Sequence, residues 1–292
     1  MVDAKSYFDE LRPAQANPGL PRDFHPGEVK TGEHLEYYKQ PKVVELILSD
    51  DMPIPATVDR ENYYGDRHIE YWISGYIDAR KMEPFCSSST DRTRYLDFGG
   101  ATGRVSRHMA RDSRREVWLC DININWIAWV QKFFNRPIHA FQNTFLPPLP
   151  IEDDYFDLIS GFSVFTHLDQ SEIPWLLELR RILRPGGYLY LTVLDENVWD
   201  RLKDPNWDWL FKSLSRGKND DFLAERCQAP LSERVVLQYS SAEAYNINTF
   251  LPRAYLEKEW GALFSEIRFM SDYHNYQTVV VLRKPQREGP AR

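Results

Sequence analysis

From Tyr95 to Val193, short apolar runs alternate with amphipathic segments along the chain. Apolar runs that end at turn residues predict buried strands, and apolar positions three or four residues apart predict helices. The predicted strands open at Tyr95 and continue as Glu116–Asp121, Pro137–Phe141, Tyr155–Val164 and Tyr188–Val193. The predicted helices between them are Val105–Arg111, Ile124–Phe134 and Ser171–Leu183. Such alternation implies right-handed crossovers, so the pattern predicts an α/β fold with a parallel sheet.

Two segments of the chain lie outside this alternation. Residues 1–90 are rich in Pro, Gly and charge, and near their end an apolar stripe at helical spacing predicts a helix. The stripe consists of Ile69, Trp72, Ile73, Tyr76 and Ile77. Such a helix either packs on the sheet edge or closes over a ligand. Residues 196–248 are aromatic and largely helical in pattern, and the run ERVVLQYSS within them is a candidate hairpin arm.

This pattern predicts three parts of the chain. We expect an N-terminal arm and helix at 1–90, a core at 91–195 and 249–285, and an insertion at 196–248 that covers the substrate. Within the last part of the core, Pro252–Phe264 predicts a helix, and Ile267–Ser271 and Gln277–Arg283 predict two strands. Only a short loop separates these strands, so they are expected to pair as an antiparallel hairpin.

Composition narrows the class of protein. A chain of 292 residues suits one large domain with embellishments, or one domain with a small cap. The formal net charge of −7 argues against non-specific nucleic-acid binding and favours a small-molecule substrate. Cys86, Cys120 and Cys227 have no CxxC spacing, so neither a disulfide framework nor a zinc site is indicated. With no signal peptide and no membrane-spanning run, we expect a soluble cytoplasmic protein, monomeric or homodimeric.

The stretch YLDFGGATGR, from Tyr95 to Arg104, is the strongest candidate for chemistry. It reads as strand, tight turn and helix, with Gly99, Gly100 and Gly103 in the turn. Glycines at such a position allow positive φ angles and close approach of a ligand, which is how α/β proteins cradle nucleotides. The alternative is an ordinary glycine-containing turn. The residues that follow in chain order favour the ligand interpretation.

The order of the motifs resembles that of the class I S-adenosylmethionine-dependent methyltransferases, in particular the small-molecule branch similar to methyltransferase types 11 and 12. Asp97, Gly99 and Gly103 fit the acidic, glycine-rich first motif, although Ala101 stands where the family usually has glycine. Asp121 fits the acid that closes the second strand. Further along, Phe156 and Asp157 fit the opening of the fourth strand, and Leu179–Val193 fits the helix, Pro-Gly-Gly turn and fifth strand. The resemblance extends from Tyr95 to Lys284.

The resemblance implies a Rossmann-like fold with a seven-stranded, mostly parallel sheet, helices on both faces and an antiparallel last strand. It also implies S-adenosylmethionine as the cofactor. An acid at the end of a strand can accept hydrogen bonds from both ribose hydroxyls, which is the role expected of Asp121; the alternative is a surface acid. The expected cofactor-binding residues are Asp97, Gly99, Gly100, Ala101, Gly103, Asp121, Ile122, Asn143, Thr144, Gly161 and Phe162.

These cofactor residues have different expected roles. Asp97 is expected to organise the glycine-rich turn or to attract the ammonium of the cofactor. The resemblance places Gly161 and Phe162 at the methionine portion, and Asn143 and Thr144 near the adenine. Phe162 is equally compatible with a core position.

Methyl transfer requires an aligned nucleophile, exclusion of water and, for a hydroxyl or ammonium acceptor, removal of a proton. His167 is the nearest obvious base after the fourth strand, and its alternative role is a histidine bonded to backbone. Related enzymes sometimes carry a metal-binding Glu-His pair here, but Thr166 precedes His167, so no metal is expected. The expected substrate-binding residues are Tyr63, Tyr64, Trp199 and Trp207, whose alternative is packing into a separate small core.

Two other functions compete with methyl transfer. A nicotinamide-dependent oxidoreductase also uses an acid after the second strand, but the GxGxxG fingerprint is absent from the stretch. A non-catalytic module that binds S-adenosylmethionine is the second alternative. The sequence leaves open whether an O, N, S or C atom accepts the methyl group.

Overall fold

The computed structural model describes residue 29 and residues 32–86, 92–239 and 247–287. Residues 1–28 of the predicted arm and the last residues of the predicted hairpin arm lie outside these ranges. The described strands are β1 (Thr93–Phe98), β2 (Arg115–Asp121), β3 (His139–Gln142), β4 (Phe156–Gly161), β5 (Leu183–Val193), β6 (Val235–Gln238), β7 (Ile247–Phe250), β8 (Glu266–His274) and β9 (Gln277–Arg283).

Seven of these strands form one sheet in the order β3-β2-β1-β4-β5-β9-β8. The pairs β1–β4, β2–β3 and β4–β5 are parallel, whereas β9 is antiparallel to both β5 and β8. The predicted mostly parallel sheet with an antiparallel last strand is therefore confirmed. The predicted pairing of the last two strands is confirmed as well.

Helices flank the sheet and connect its strands. They are α1 (Gly32–Tyr38), α2 (Pro41–Leu48), α3 (His68–Met82), α4 (Ser106–Met109), α5 (Ile124–Phe133), α6 (Glu172–Ile182), α7 (Glu196–Arg201), α8 (Asp208–Ser215), α9 (Asp220–Arg226) and α10 (Arg253–Tyr255). Helix α10 continues as a π-helical turn (Leu256–Trp260) and a 3₁₀ turn (Gly261–Leu263). Further 3₁₀ turns lie at Val58–Arg60, Glu83–Phe85, Phe165–His167 and Pro205–Trp207. In the described ranges, no helix is both long and apolar enough to cross a bilayer.

Strand β5 begins five residues earlier than the sequence pattern predicts. Leu183 lies opposite Phe156 of β4, and the next matched pair is Tyr188 with Leu158, so the four residues Arg184–Gly187 of β5 form an irregularity opposite the single residue Asp157. Gly186 has φ +78°, and a Cβ at Gly187 would lie 2.9 Å from the carbonyl oxygen of Asp157. The Pro-Gly-Gly turn therefore interrupts the ladder without ending the strand.

The described chain divides into two compact units. One contains the described residues up to Pro84 together with Gly100–Gln142, and the other contains Phe85–Gly99 together with the described residues from Asn143 onward. This division groups β2 and β3 with the N-terminal helices, whereas the sequence pattern assigned both strands to a core at 91–195 and 249–285. The domain boundaries at 90, 195 and 248 stay a prediction.

The first unit is built around α3. The predicted apolar stripe lies on this helix, and α3 is buried on almost every side, so that Tyr71, Ser74, Gly75 and Asp78 are enclosed as well. The Trp72 indole donates to the buried Asp50 carboxylate, 2.6 Å away. Burial would raise the pKa of Asp50, but hydrogen-bonded and nearby arginines, Arg107 foremost, hold it well below its usual range.

The insertion in the second unit has its own hydrophobic cluster. Trp199, Leu210, Leu223 and other buried side chains from α7 to α9 pack with residues of the hairpin β6–β7. The predicted hairpin arm is confirmed, because β6 pairs antiparallel with β7. The backbone N–H of Leu251 donates to the Leu194 carbonyl, 2.8 Å away, which fastens the end of the hairpin to the end of β5.

Candidate active site

The glycine-rich turn in the first unit is fastened to the end of β2. The Gly100 N–H donates to the Cys120 carbonyl (3.1 Å), and the Gly103 N–H donates to the Gly100 carbonyl (2.8 Å). Ala101 has φ +46°, a left-handed conformation that costs an alanine about 1 kcal/mol. Its N–H donates to Oδ2 of Asp121, 2.9 Å away. This bond stabilises the turn where a glycine would have adopted the conformation without strain.

Asp121 is 4% exposed and serves two loops at once. Oδ2 accepts from Ala101, and Oδ1 accepts from the N–H of Asn123, 2.9 Å away, at the start of α5. The neighbouring Ile122 carbonyl accepts from the side-chain amide of Gln142, 2.9 Å away. One carboxylate thus fixes both the glycine-rich turn and the start of α5.

Helix α3 supports the same turn from its other end. The Tyr71 hydroxyl lies 3.2 Å from Oγ1 of Thr102, and Arg104 donates to Asp78 (2.6 Å) and Ser74 (3.2 Å). A Cβ at Gly75 would lie only 2.1 Å from the backbone carbonyl oxygen of Arg104, so the backbone of α3 touches the turn. Sequence reasoning missed this role of α3.

A signal for that role was present in the sequence. A glycine inside a helix costs about 1 kcal/mol relative to alanine, so its presence points to a packing reason. Gly75 occupies the middle of the apolar stripe, where the backbone contact with Arg104 supplies that reason.

Two glycines in the turn face protein side chains. Gly99 belongs to the second unit and has φ +71°, and a Cβ there would lie 2.4 Å from Cγ2 of Val164 in that same unit. Gly103 has φ +76°, and its Cβ would lie 2.3 Å from the ring of Phe134 in the first unit. Both positions therefore require glycine because of the backbone conformation and close packing.

Asp97, at the end of β1, is 2% exposed. It accepts from the Ser160 hydroxyl on β4, 3.2 Å away, and that hydroxyl is 2.6 Å from the hydroxyl of Tyr95. The chain of polar contacts fixes the Asp97 carboxylate where β1 meets the glycine-rich turn.

The segment after β3 carries a buried amide with an unmet hydrogen-bond acceptor. Asn143 is 7% exposed; its Nδ2 donates to the Thr144 carbonyl, 2.9 Å away, while its buried Oδ1 has no partner. Thr144 is exposed and donates to the Leu146 carbonyl, 2.5 Å away. An unpaired buried carbonyl oxygen costs about 1–3 kcal/mol, so a ligand N–H at this position would remove a real penalty.

Gly161, the last residue of β4, is buried, and Phe162 directly after it is half-buried. A Cβ at Gly161 would lie 3.0 Å from Leu191, which leaves little room beside β5. The Phe162 ring packs 4.8 Å from the ring of His274 and 5.7 Å from that of Tyr190. Phe162 thus combines a packing role with a partly accessible ring.

The turn that follows β4 contains Ser163, which, like Ala101, is a non-glycine residue in a left-handed conformation. Ser163 has φ +56°; its N–H donates to Oγ1 of Thr192 (2.7 Å), and its hydroxyl contacts the side chain of Gln277 (2.9 Å to Nε2). Strained residues of this kind collect at functional sites. Thr166 donates to the Ser163 carbonyl, 2.9 Å away, and closes the turn.

His167, the predicted base, is held by the hairpin of the insertion. Its Nδ1 lies 2.6 Å from the backbone carbonyl oxygen of Ile247 on β7. Burial lowers the pKa of His167, the bond to Ile247 opposes that shift, and Arg216 lowers it further. His167 therefore makes the hydrogen bond to backbone that was the alternative to a role as base. Its lowered pKa favours the neutral imidazole.

Comparisons with known proteins decide the family. A family model described as a methyltransferase domain matches residues 66–229, which is more than half of the chain. The chain belongs to the S-adenosylmethionine-dependent methyltransferases. This family match confirms the sequence resemblance, the enzyme class and S-adenosylmethionine as the cofactor. It favours methyl transfer over the two alternatives, a nicotinamide-dependent enzyme and a non-catalytic module.

Solved structures similar to this methyltransferase share little sequence with it. An S-adenosylmethionine-dependent methyltransferase from Methanosarcina mazei is 17% identical, with a TM-score of 0.46 over 68% of this chain and 94% of that chain. A protein from Pyrococcus horikoshii is 16% identical, with a TM-score of 0.48 over 72% and 88%. One from Aquifex aeolicus is 13% identical, with a TM-score of 0.42 over 70% and 89%. No curated protein sequence matches the chain.

The four aromatic residues predicted to bind the methyl acceptor come from both compact units. Tyr63 and Tyr64 belong to the first unit, where their rings lie 4.7 Å apart at 79°, and Tyr63 is 42% exposed. Trp207 and Trp199 belong to the second unit. Trp199 is fully buried in the cluster of the insertion and donates to the Ala229 carbonyl, 2.9 Å away, which fits the packing alternative. Trp207 is half-buried.

Proposed function

We propose that this methyltransferase transfers the methyl group to a nucleophile that carries a proton, a hydroxyl or an amine, on a small molecule, with His167 as the base. The observation that carries the proposal is the hydrogen bond between His167 Nδ1 and the Ile247 carbonyl. A carbonyl oxygen only accepts hydrogen bonds, so Nδ1 carries the proton. The neutral ring then has its lone pair on Nε2, where a general base needs it.

The lowered pKa of His167 supports the same role. Burial is the main cause, and it favours the neutral form that can accept a proton near pH 7. Within the described residues, Nε2 has no hydrogen-bond partner in the protein. The backbone bond therefore orients the base without consuming its lone pair.

The residues present fit a nucleoside cofactor. Bound S-adenosylmethionine supplies an activated methyl group on a sulfonium. The Asp121 carboxylate would accept from the ribose hydroxyls, and the orphaned Oδ1 of Asn143 would accept from the exocyclic amine of adenine. Asp97, next to the turn, supplies a carboxylate suited to the ammonium of the methionine portion.

The remaining predicted contacts belong to the same proposal. Gly99, Gly100, Ala101 and Gly103 would present backbone to the cofactor, and Ile122 would border the nucleoside beside Asp121. Thr144 follows β3, Gly161 ends β4 and Phe162 follows it, so these residues would line the adenine and methionine portions at the carboxyl ends of those strands.

The insertion at 196–248 is proposed as the acceptor cover. Its hairpin supplies the Ile247 bond to His167, and its partly accessible Trp207 offers an aromatic surface that excludes water. Tyr63 and Tyr64 are proposed contacts from the N-terminal part, whereas Trp199 serves the insertion's own core. The acidic net charge supports a small-molecule acceptor, and three cysteines without CxxC spacing support a cytoplasmic location.

The proposal is tested by incubating the enzyme with a metabolite extract and S-adenosylmethionine labelled on the methyl group. We expect label to enter a small molecule at an oxygen or nitrogen atom, as determined by mass spectrometry. A variant with Asp121→Ala serves as the control that lacks the cofactor contact. Label found only in protein or nucleic acid, or at a carbon atom that bears no acidic proton, would contradict the proposed acceptor.

A further inference from the structure

The loop that precedes α3 is strained and encloses a buried cation. Glu61, Asn62 and Tyr64 have φ angles of 50°, 60° and 65°, although none is a glycine. Such a conformation strains a non-glycine residue and persists only where its surroundings hold it, often at a ligand clamp. The loop lies before residue 66, where the family match begins.

Arg60 is the cation, and it is 4% exposed. Its Nη2 donates to the Gly65 carbonyl and to Nδ1 of His68, which is 2.9 Å away. Its Nε and Nη1 are buried without any hydrogen-bond partner. Both acceptors are neutral, and among the described residues no carboxylate lies within ion-pair distance of Arg60.

A buried guanidinium in this state is costly. A buried charge loses much of its hydration, which the nearby charge of Asp66 offsets only in part, and an unpaired buried N–H adds to that penalty. The same environment lowers the pKa of Arg60, mainly through burial. A carboxylate that arrived beside Nε or Nη1 would remove these penalties and form a charge-assisted hydrogen bond in a site of low dielectric.

The position of Arg60 connects it to the glycine-rich turn. Its guanidinium lies over the ring of Tyr71, 4.7 Å from the ring centroid. The hydroxyl of that same ring contacts Thr102, between Ala101 and Gly103 of the turn, at 3.2 Å. One aromatic ring thus separates the unpaired guanidinium from the turn.

We propose that Arg60 recognises the carboxylate of a ligand bound beside the glycine-rich turn. The carboxylate has two sources, the amino-acid portion of the cofactor or an acidic group on the methyl acceptor. The inference rests on cofactor binding at this turn, and it does not depend on the role of His167.

Calorimetry with two nucleosides separates these sources. S-adenosylhomocysteine carries the amino-acid carboxylate, whereas 5′-methylthioadenosine lacks the whole amino-acid portion. With the cofactor carboxylate as partner, Arg60→Met weakens S-adenosylhomocysteine binding at least about tenfold and leaves 5′-methylthioadenosine binding unchanged. The matched control Arg80→Met removes a cation that is half exposed on α3 and leaves both affinities unchanged.

The other source gives a different result. With the acceptor carboxylate as partner, Arg60→Met binds both nucleosides as the wild type does, but it no longer labels the carboxylic acids that the wild type methylates in a metabolite extract. If Arg60→Met does not fold, Arg60→Lys replaces it. We expect this variant to weaken, by about threefold, only the ligand whose carboxylate Arg60 recognises: S-adenosylhomocysteine for the first source, or the carboxylic acid acceptor for the second.

Equal weakening of both nucleosides would overturn the inference, because it indicates structural support of the turn. Unchanged binding together with an unchanged set of labelled products would overturn it as well. Wild-type protein that binds neither nucleoside would overturn the cofactor site itself along with this inference, so the two failures are distinguishable.

Discussion

The glycine-rich turn after β1 and the turn after β4 are held in different ways. Within the first unit, Gly100–Gly103 is fastened by the end of β2 and by α3, through Asp121 and Tyr71. Within the second unit, the Phe165–His167 turn is fastened by the hairpin of the insertion, through Ile247 and Thr249. The first turn depends on the sheet and its helix, whereas the second depends on an element with its own core. The second turn can therefore change while the contacts within the first unit that hold Gly100–Gly103 stay the same.

The two turns also differ in the kind of contact that holds them. Around the first turn, buried charges take part, namely Asp121 with two backbone amides and Arg104 with Asp78. Around the second, the contacts are neutral, as in the bonds of His167 and Thr249 to backbone carbonyls. Hydrogen bonds to charged groups are worth about twice as much as neutral ones. Damage to the first turn should reduce stability and binding, and damage to the second should mainly reduce the rate.

The largest effect is expected from Gly75→Val. The new side chain meets the Arg104 backbone, which lies 2.1 Å from the Cβ position and cannot rotate away. We expect a loss of about 3 kcal/mol in the free energy of unfolding and loss of S-adenosylhomocysteine binding, measured by denaturation and calorimetry. Gly261→Ala is the control, because its nearest neighbour is 3.6 Å away. Near-normal binding by Gly75→Val would refute the role of α3.

A smaller loss is expected from Asp121→Ala. The substitution leaves the N–H groups of Ala101 and Asn123 without their acceptor, so we expect the free energy of unfolding to fall by about 2 kcal/mol. Cofactor affinity should fall as well, whereas Asp121→Asn keeps one acceptor and should lose less. Wild-type stability of Asp121→Ala would show that the carboxylate does not hold the turn.

The sequence predicted the first turn better than the second because its signals are local. Asp97, the glycines and Asp121 mark strand ends, and the alternation around them defines the sheet. The partner of His167 is 80 residues away, at the start of a hairpin strand. No periodicity in SVFTHLD points to Ile247, so the bond depends on how the insertion folds.

The support from α3 and the buried Arg60 were missed for a related reason. Both belong to the region that composition describes only as an irregular arm with a helix. Long-range packing encloses that helix on almost every side, so that its polar residues Ser74 and Asp78 become contacts of Arg104. Trp199 is the opposite case. It was predicted to bind the substrate because it is an aromatic residue in a variable segment, but it packs into the hydrophobic cluster of the insertion.

Acid should destabilise the first unit through His108. Burial, reinforced by Arg107, places its folded-state pKa well below 6.5, so the unfolded state binds the proton first. Stability is therefore full above about pH 6.5 and declines as the pH falls toward the folded-state pKa. His108→Gln keeps a donor for the Trp72 carbonyl and should give a shallower decline between pH 7.5 and 5.5 in denaturant titrations. An equal slope would contradict the assignment to His108.

The smallest effect is expected from Trp207→Ala on the insertion surface. Its ring is half-buried under the Arg201 guanidinium, 4.4 Å from the centroid, so stability should change by no more than about 1 kcal/mol. The KM for the acceptor should rise several-fold without a change in S-adenosylhomocysteine affinity. Phe222→Ala removes an aromatic residue that is 51% exposed in α9 and should leave both constants unchanged.

The separation between cofactor binding and proton removal is tested most directly by His167→Asn. The asparagine amide can still donate to the Ile247 carbonyl, but it offers no base. We predict wild-type affinity for S-adenosylhomocysteine, a kcat lowered about a hundredfold, and loss of the rise in kcat/KM near the His167 pKa, which lies below 6.5. Wild-type kcat with an unchanged pH profile would contradict the account, because it would reduce His167 to a structural anchor for the hairpin.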